Sequence, residues 1–535
     1  MAHLSKIFTK TPVDMPNKSG FDMSHENLFT ATCGTLTPCL VEELLPNDEI
    51  SLGEMCQVQL PPMATDFYGR VDACIEAFFV PYRILWGGWQ DFITNPTTNP
   101  FAPDTNPPKT LPTLSAPSTS VATAFGRGSL ADYLGLKGVG TSADSGSFVI
   151  PNLLPFLAYH KIYEDWYMNT EIQKTPFLKA PNGTNPMMSA PWVRNSFSAN
   201  VSSTGGGTGS AFNDGVQVHQ LRQRLWAKDY FTTANLYPQA GGASQLSFDV
   251  ADSKGSFTIA SLRAANVLQR WLERNNIAGY RYADQIKAQF GCLPSDAVMD
   301  RSIFLGRAVH SVYTKSVYNT AGSPTDSATG NPFGGSASKF GTSQAVGEGS
   351  LIKKFRATEH GFIFCLFSLV PHAYYSTGTR RLLMRSKVGD FAFPLLQGVG
   401  EQSIYIQELQ PAEPLGTLDF SHGNVFGYTD QYAEYKYHDD ECHGLLVDGE
   451  SLSAFALQRS FSESSVQLGT SFLEIPKDFL DQVTAVNGAV SKFGCWVDMY
   501  LSMKKVSTLS AYQIPTLGDI KNTHKEYIDK GGRRL

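Results

Sequence analysis

Two runs of strict period-two alternation, one near each end of the chain, constrain the fold most. Apolar Val71, Ala73, Ile75, Ala77 and Phe79 alternate with Asp72, Cys74, Glu76 and Phe78 before Pro81 closes the run. Near the other end, Cys495, Val497, Met499, Leu501 and Met503 alternate with Trp496, Asp498, Tyr500 and Ser502. Side chains at i and i+2 share one face of a strand, so both runs predict half-buried β-strands. Phe362–Val370 is a wholly apolar strand candidate, and Ser403–Leu409 alternates again.

Between these runs lie long aperiodic stretches: proline-rich 95–120, the glycine and serine stretch Ser198–Gly215, and Thr320–Gly349. Helical spacing is confined to three places. These are Leu153–Met168, a segment from Ser261 as N-cap to Asn275 with Leu262, Ala265, Leu268 and Leu272 on one face, and Ala283–Phe290 ending at Gly291. No β/α alternation and no 20 to 50 residue repeat is visible, which excludes a doubly wound nucleotide-binding fold and points to a β-sandwich or jelly roll carrying long loops. The organisation expected is an extended arm over 1–40, one β-domain over 41–510 with insertions at about 95–150, 198–258 and 320–350, and a basic tail over 511–535.

Composition says what such a domain does with its surface. Charged residues make up 17% of the 535, against roughly 25% in an average soluble protein, while aromatics reach 12%. A surface poor in charge and rich in aromatics suits extensive subunit contact. The net charge of −6 is too small to make the whole chain an electrostatic partner of nucleic acid or membrane, so any such binding is local. The start lacks the apolar core of a secretory signal, and Phe362–Val370 is about half a membrane span, so synthesis in a cytosol without membrane insertion is expected. Eight cysteines without a C-x-x-C pair read as reduced, buried small residues.

Motifs of soluble enzymes are missing: G-K-[ST], H-E-x-x-H, G-x-S-x-G and His-x-His do not occur. The densest polar cluster runs from His438 to His443, where His438, Asp440 and His443 are candidate ligands for a divalent cation. Neighbours on one strand or turn rarely converge on one ion, so the stretch reads first as a solvated acidic loop. Arg222, Arg224, Arg270 and Arg274 are interleaved with Trp226, Tyr230 and Trp271, a mixture that suits single-stranded nucleic acid or, with greater weight, salt-bridged subunit contacts. The tail residues Lys530, Arg533 and Arg534, with Lys521 and Lys525, form the second basic cluster.

The order of several motifs resembles the major capsid proteins of microviruses, the gokushovirus-like branch in particular. They are Phe21-Asp-Met-Ser-His-Glu26, Phe78-Phe-Val-Pro-Tyr-Arg-Ile-Leu-Trp86 with Trp89 and Phe92-Ile93, and Asp229-Tyr-Phe-Thr-Thr-Ala234. Leu262-Arg263, Gln269–Asn275, Arg281-Tyr282, Phe290-Gly291, Ser295-Asp-Ala297, Glu359-His-Gly361, Gly400-Glu-Gln402, Phe426-Gly-Tyr428 and Ala433-Glu-Tyr435 continue the series.

The resemblance implies a mainly β fold, an eight-stranded antiparallel jelly roll with long loop insertions and a few helices. Function is implied too: a coat, not an enzyme and without a cofactor, built through pentamers into a T=1 icosahedral shell around circular single-stranded DNA. Partners implied are copies of itself, the genome, a small basic DNA-packaging protein, a pilot protein, a scaffolding protein during assembly, and a bacterial surface receptor. The place implied is the virion, after assembly in the host bacterial cytoplasm. The likeness departs after the segment matching Asp229–Gln239, where relatives carry a long insertion thought to build a threefold protrusion. Here only about twenty residues separate Gln239 from Ser261. The competing reading from composition is a soluble β-sandwich that binds or cleaves carbohydrate, with aromatics as sugar platforms and a carboxylate pair as acid and base.

Overall fold

A computed structural model describes residues 18–63, 67–94, 110–116, 125–137, 148–173, 198–200, 218–237, 282–292, 299–319, 339–410, 425–461, 466–484 and 494–509, with scattered positions between 263 and 296 and at 490–491. Its strands are β1 (Ser19–Asp22), β2 (His25–Ala31), β3 (Thr37–Leu44), β4 (Glu49–Gln59), β5 (Val71–Pro81), β6 (Thr113–Ala116), β7 (Phe148–Ile150) and β8 (Ser198–Asn200). Then come β9 (Ile303–Asn319), β10 (Lys339–Arg356), β11 (Gly361–Pro371), β12 (Tyr374–Tyr375), β13 (Glu401–Tyr405), β14 (Val425–Asp430), β15 (Gln458–Arg459) and β16 (Cys495–Ser507).

Two antiparallel ladders carry the fold, one ordered β2-β16-β4-β10 and the other β3-β11-β5-β9. β9 and β10 pair at their far ends, so hydrogen bonding runs unbroken from one ladder into the other. This is jelly-roll connectivity: β2 to β3, β3 to β4, β4 to β5, β10 to β11 and β11 to β16 pass from one ladder to the other, while the longest connection joins β5 to its own neighbour β9. The core lies between them, where Cys56, Val58, Met499 and Leu501 of one sheet meet Ala73, Ile75, Cys365 and Phe367 of the other, all fully buried. β16 follows its alternation: Cys495, Val497, Met499, Leu501 and Met503 point inward, while Trp496 and Tyr500 face out.

β5 departs from expectation, because it is buried on both faces. Its odd-numbered residues enter the sandwich core, but Phe78 and Val80 join Phe362, Phe364 and Leu366 of β11 in a second core under the helix Leu154–Ile162. Period two cannot show that an insertion covers the polar side. The carboxylates on that side are held by partners: Asp72 by Arg70, Ser311 and His372, and Glu76 by Arg224 and Arg307.

Three other boundaries move. Within the expected 1–40 arm, residues 19–31 are extended but lie on this chain's own sheet, as β1 and β2 in line along β16, and β3 starts at Thr37. Met23 and Phe29 supply the inward apolar positions, Phe29 meeting Phe367 edge-on at 5.4 Å. Of the 320–350 loop, residues 339–350 are strand; its glycines permit close approach, since a β-carbon on Gly349 would stand 2.6 Å from a Glu54 carboxylate oxygen. The Ser261–Asn275 segment is helical at its described positions, but Leu268, placed on the buried face by its spacing, is exposed there; Ser261, Leu262, Ala265 and Leu272 lie outside the described residues. So do residues 1–17 and the 511–535 tail.

The helix over Leu154–Ile162 runs on into a π-turn at Tyr163–Tyr167, and the helix Tyr282–Phe290 closes at left-handed Gly291, both close to expectation. All eight cysteines are free thiols; seven are buried and Cys292 is exposed. Among the described residues no helix is long and apolar enough to cross a membrane.

Candidate functional site

Residues 222–226 thread between two backbones. Arg222 accepts from the Leu36 amide, Arg224 donates to Gly34, the Arg224 carbonyl takes the Ile475 amide, and Trp226 donates to Leu473. The side chains are used inside as well. Arg224 forks onto Glu76 at 2.8 and 3.3 Å, donates to Ser368 at 3.0 Å and lies over the Tyr167 ring at 5.3 Å. Arg222 reaches His160 Nδ1 at 3.4 Å and lies over the Tyr163 ring. His160 is fully buried, and burial together with the Arg222 charge lowers its pKa to about 3, so it stays neutral and its Nε2–H donates to the Val218 carbonyl at 3.0 Å. Both guanidinium groups are thus engaged inside the chain: that of Arg224 joins Tyr167 of the insertion to Glu76 and Ser368 of the sandwich, and that of Arg222 stays on His160 and Tyr163 within the insertion.

The hairpin of β13 and β14 forms a third apolar cluster with Tyr230, Phe231, Leu409, Phe426 and Phe472. Arg381 is set beside Glu408 at 3.2 Å and Glu434 at 3.7 Å, and Arg385 beside Glu434 at 3.2 Å. Glu408 also accepts from the Tyr405 amide at 2.9 Å and the Tyr230 hydroxyl at 3.3 Å. Burial nevertheless pushes its carboxyl up to about 7, against the pull of Arg381.

Between the ordinary value of 4.5 and about 7, the folded chain thus keeps a proton that the unfolded chain has released. Stability from this group is therefore fully present at the acid end and falls as pH rises through the window, by about 3 kcal/mol over its whole width. Glu408→Gln, neutral at every pH, is expected to flatten that slope. Urea midpoints of both proteins at pH 5 and pH 7 check it; equal pH slopes would reject the assignment.

The cation-ligand candidates do not converge. His438 Nε2 faces Arg380 at 2.7 Å, His443 Nε2 faces Glu441 at 3.2 Å, and Arg380 itself pairs with Glu441 at 3.1 Å. Asp440 is exposed and contributes its backbone carbonyl to Tyr375. The Arg380 guanidinium thus lies against both His438 and Glu441, and among the described residues no group of three or more His, Cys, Asp and Glu is arranged to hold a metal ion.

An open cleft of about 1500 Å³ lies between the β5-β9-β11 face and this third cluster. Five Lys or Arg and six Asp or Glu line it, so it carries no excess of positive charge to draw a polyanion. Asp439 at its edge is pushed up to about 6 by burial and by neighbouring Asp229. Of the basic residues singled out from sequence, Arg270 and Arg274 are the two that the described structure leaves exposed, next to half-exposed Trp271. Lys530, Arg533 and Arg534 lie outside the described residues. Arg381, Arg385, Glu408 and Glu434 carried no spacing signal, because their partners come from elements tens of residues apart.

Comparison with known proteins fits this architecture. The family model described as capsid protein (F protein) matches residues 10–248 and 181–517. Capsid protein VP1 of Chlamydia phage 1 is 24% identical, covering 95% of this chain and 97% of the relative. Capsid protein VP1 of Bdellovibrio phage phiMH2K is 25% identical over 90% of this chain and 94% of the relative, and that of Spiroplasma virus 4 is 22% identical over 80% and 82%. These relatives favour a coat over a carbohydrate-binding protein.

Proposed function

The chain belongs to the capsid protein (F protein) family, and from that premise we propose that it is the subunit that closes, through pentamers, into a T=1 icosahedral shell around circular single-stranded DNA. Its role is structural, that of a major capsid protein located in the virion. The observation that carries the reading is the outer face of the β2-β16-β4 ladder, where Leu28, Met55, Trp496 and Tyr500 stand exposed on paired strands. A sheet face with those side chains belongs against another surface.

Assembly in the bacterial cytoplasm is part of the proposal. So are a small basic packaging protein, a pilot protein, a scaffolding protein and a surface receptor as partners. Arg270 and Arg274, with Lys530, Arg533 and Arg534, are the proposed genome contacts; phosphate contacts by such residues carry no sequence preference and weaken steeply with salt. Sedimentation velocity and negative-stain imaging of the expressed chain test the reading. Pentamers or closed shells are expected, and a well-folded chain that stays monomeric at high concentration overturns it.

A further inference from the structure

Seven large apolar side chains are exposed within the fifteen residues 382–396: Leu382, Leu383, Val388, Phe391, Phe393, Leu395 and Leu396, with Leu395 91% and Val388 77% exposed. The strap that bears them is held from beneath by polar bonds. Arg381 donates to the Ser403 carbonyl at 2.6 Å and pairs with Glu408, and Arg385 pairs with Glu434 while lying over the Tyr435 ring at 4.3 Å and the Phe391 ring at 5.8 Å. At the turn, Asp390 accepts from the amides of Ser386 at 2.9 Å and Lys387 at 2.8 Å, which holds its carboxyl below the ordinary range. Tyr432 donates its hydroxyl to the Gly389 carbonyl at 3.4 Å.

We infer that this strap, residues 382–396, is a preformed contact that docks on a second copy of the chain. The inference rests on the coat reading above and names the surface that performs it. At about 200 Å² for a fully exposed large apolar side chain, the exposed fractions sum to roughly 800 Å². That exceeds the roughly 300–600 Å² of the largest patch on an ordinary monomer, and it matches the roughly 800 Å² each partner buries in a standard interface. A strap already fixed by ion pairs loses little freedom on docking. A lipid surface fits less well, because Arg381 and Arg385 are tied to Glu408 and Glu434, which leaves Lys387 as a single exposed cation within the strap for anionic headgroups.

The test uses the full chain with Leu383→Asp and Leu395→Asp together, followed by sedimentation across concentration, with thermal melting as the check on folding. The melting temperature is expected to stay, while assembly requires at least about thirtyfold more protein, the loss typical of one central contact. In parallel, p-benzoylphenylalanine in place of Phe391 is photolysed in assembled wild-type background. A product of twice the chain mass, with both peptides from this sequence, supports the inference and decides the matter should the double variant fail to fold. Normal assembly of the double variant, or a crosslink confined to one chain or made to another protein or to lipid, overturns the strap while leaving the coat reading intact. A wild-type chain that never assembles overturns both.

Discussion

Gly306→Ala is expected to destabilise the fold by more than about 3 kcal/mol, read as a fall in the urea midpoint of the isolated chain. The reason is where β9 and β10 cross between the two sheets. The register of β9 on β5 slips between Ala77 and Phe78, at Gly306, and that of β10 on β4 slips between Ser350 and Ile352, leaving Leu351 unpaired. The two bulges meet: a β-carbon built on Gly306 would overlap the carbonyl oxygen of Leu351. Overpacking usually costs about 1–3 kcal/mol when a side chain can turn aside, but here the obstacle is backbone, flanked on both sides by residues of β10 paired to β4. Gly306 has no positive φ, so the cost is steric and not conformational. Gly389→Ala is the control, since nothing stands within 4 Å of its β-carbon, and a change within about 0.5 kcal/mol is expected. A Gly306→Ala midpoint as close to wild type as that would show that the crossing is looser than its geometry implies.

That crossing also explains what the sequence hides. Alternation identified β16 and β5 because their inward residues are large and apolar. β9 and β10 are longer, yet they use Gly306 and Gly349 where backbones and a buried carboxylate come close, so β9 shows no clean alternation and Gly349 falls in the stretch that reads as loop. Period two placed β5 but not the second core over it, since the cover comes from an insertion whose own pattern is helical and lies about eighty residues away. The arm misled for a related reason: polar strands at a sheet edge need few apolar residues, and Phe29 and Ala31 of β2, with Met23 between the two strands, are those that reach the core. Residues that build the third cluster were less legible still. His438–His443 read first as a solvated acidic loop, since neighbours in sequence rarely converge; what the sequence could not show is that Arg380, from a different element, lies against His438 and Glu441.

Arg459 is isolated in sequence from its partners, and its loss is expected to cost about 4 kcal/mol, the order of two hydrogen bonds to a charged group at roughly 1.5–3 kcal/mol each. It is buried in β15, with its guanidinium 4.3 Å from the Phe472 ring centroid, 4.7 Å from Trp226, 5.4 Å from Phe461 and 5.5 Å from Tyr375. Its N–H groups donate to the Phe472 carbonyl at 2.7 Å and the Tyr375 hydroxyl at 3.0 Å, and the Tyr375 hydroxyl in turn donates to an Asp229 carboxylate oxygen at 2.7 Å. Among the described residues it makes no direct ion pair, so the negative end of the network is Asp229, one hydroxyl away. This cation pins the sandwich to the third cluster, because Trp226 belongs to the first core and Phe472 and Tyr375 to the third. Arg459→Met keeps the volume and the apolar contacts but strands the Phe472 carbonyl and leaves Asp229 without its cation, so two charge-assisted bonds worth about 1.5–3 kcal/mol each disappear with the ring contacts. Arg459→Lys is expected to lose nearly as much, since one ammonium cannot lie flat between rings and reach both oxygens. Urea midpoints of both variants decide it: if Met is tolerated within about 1 kcal/mol, the aromatic rings hold the two cores together by packing alone.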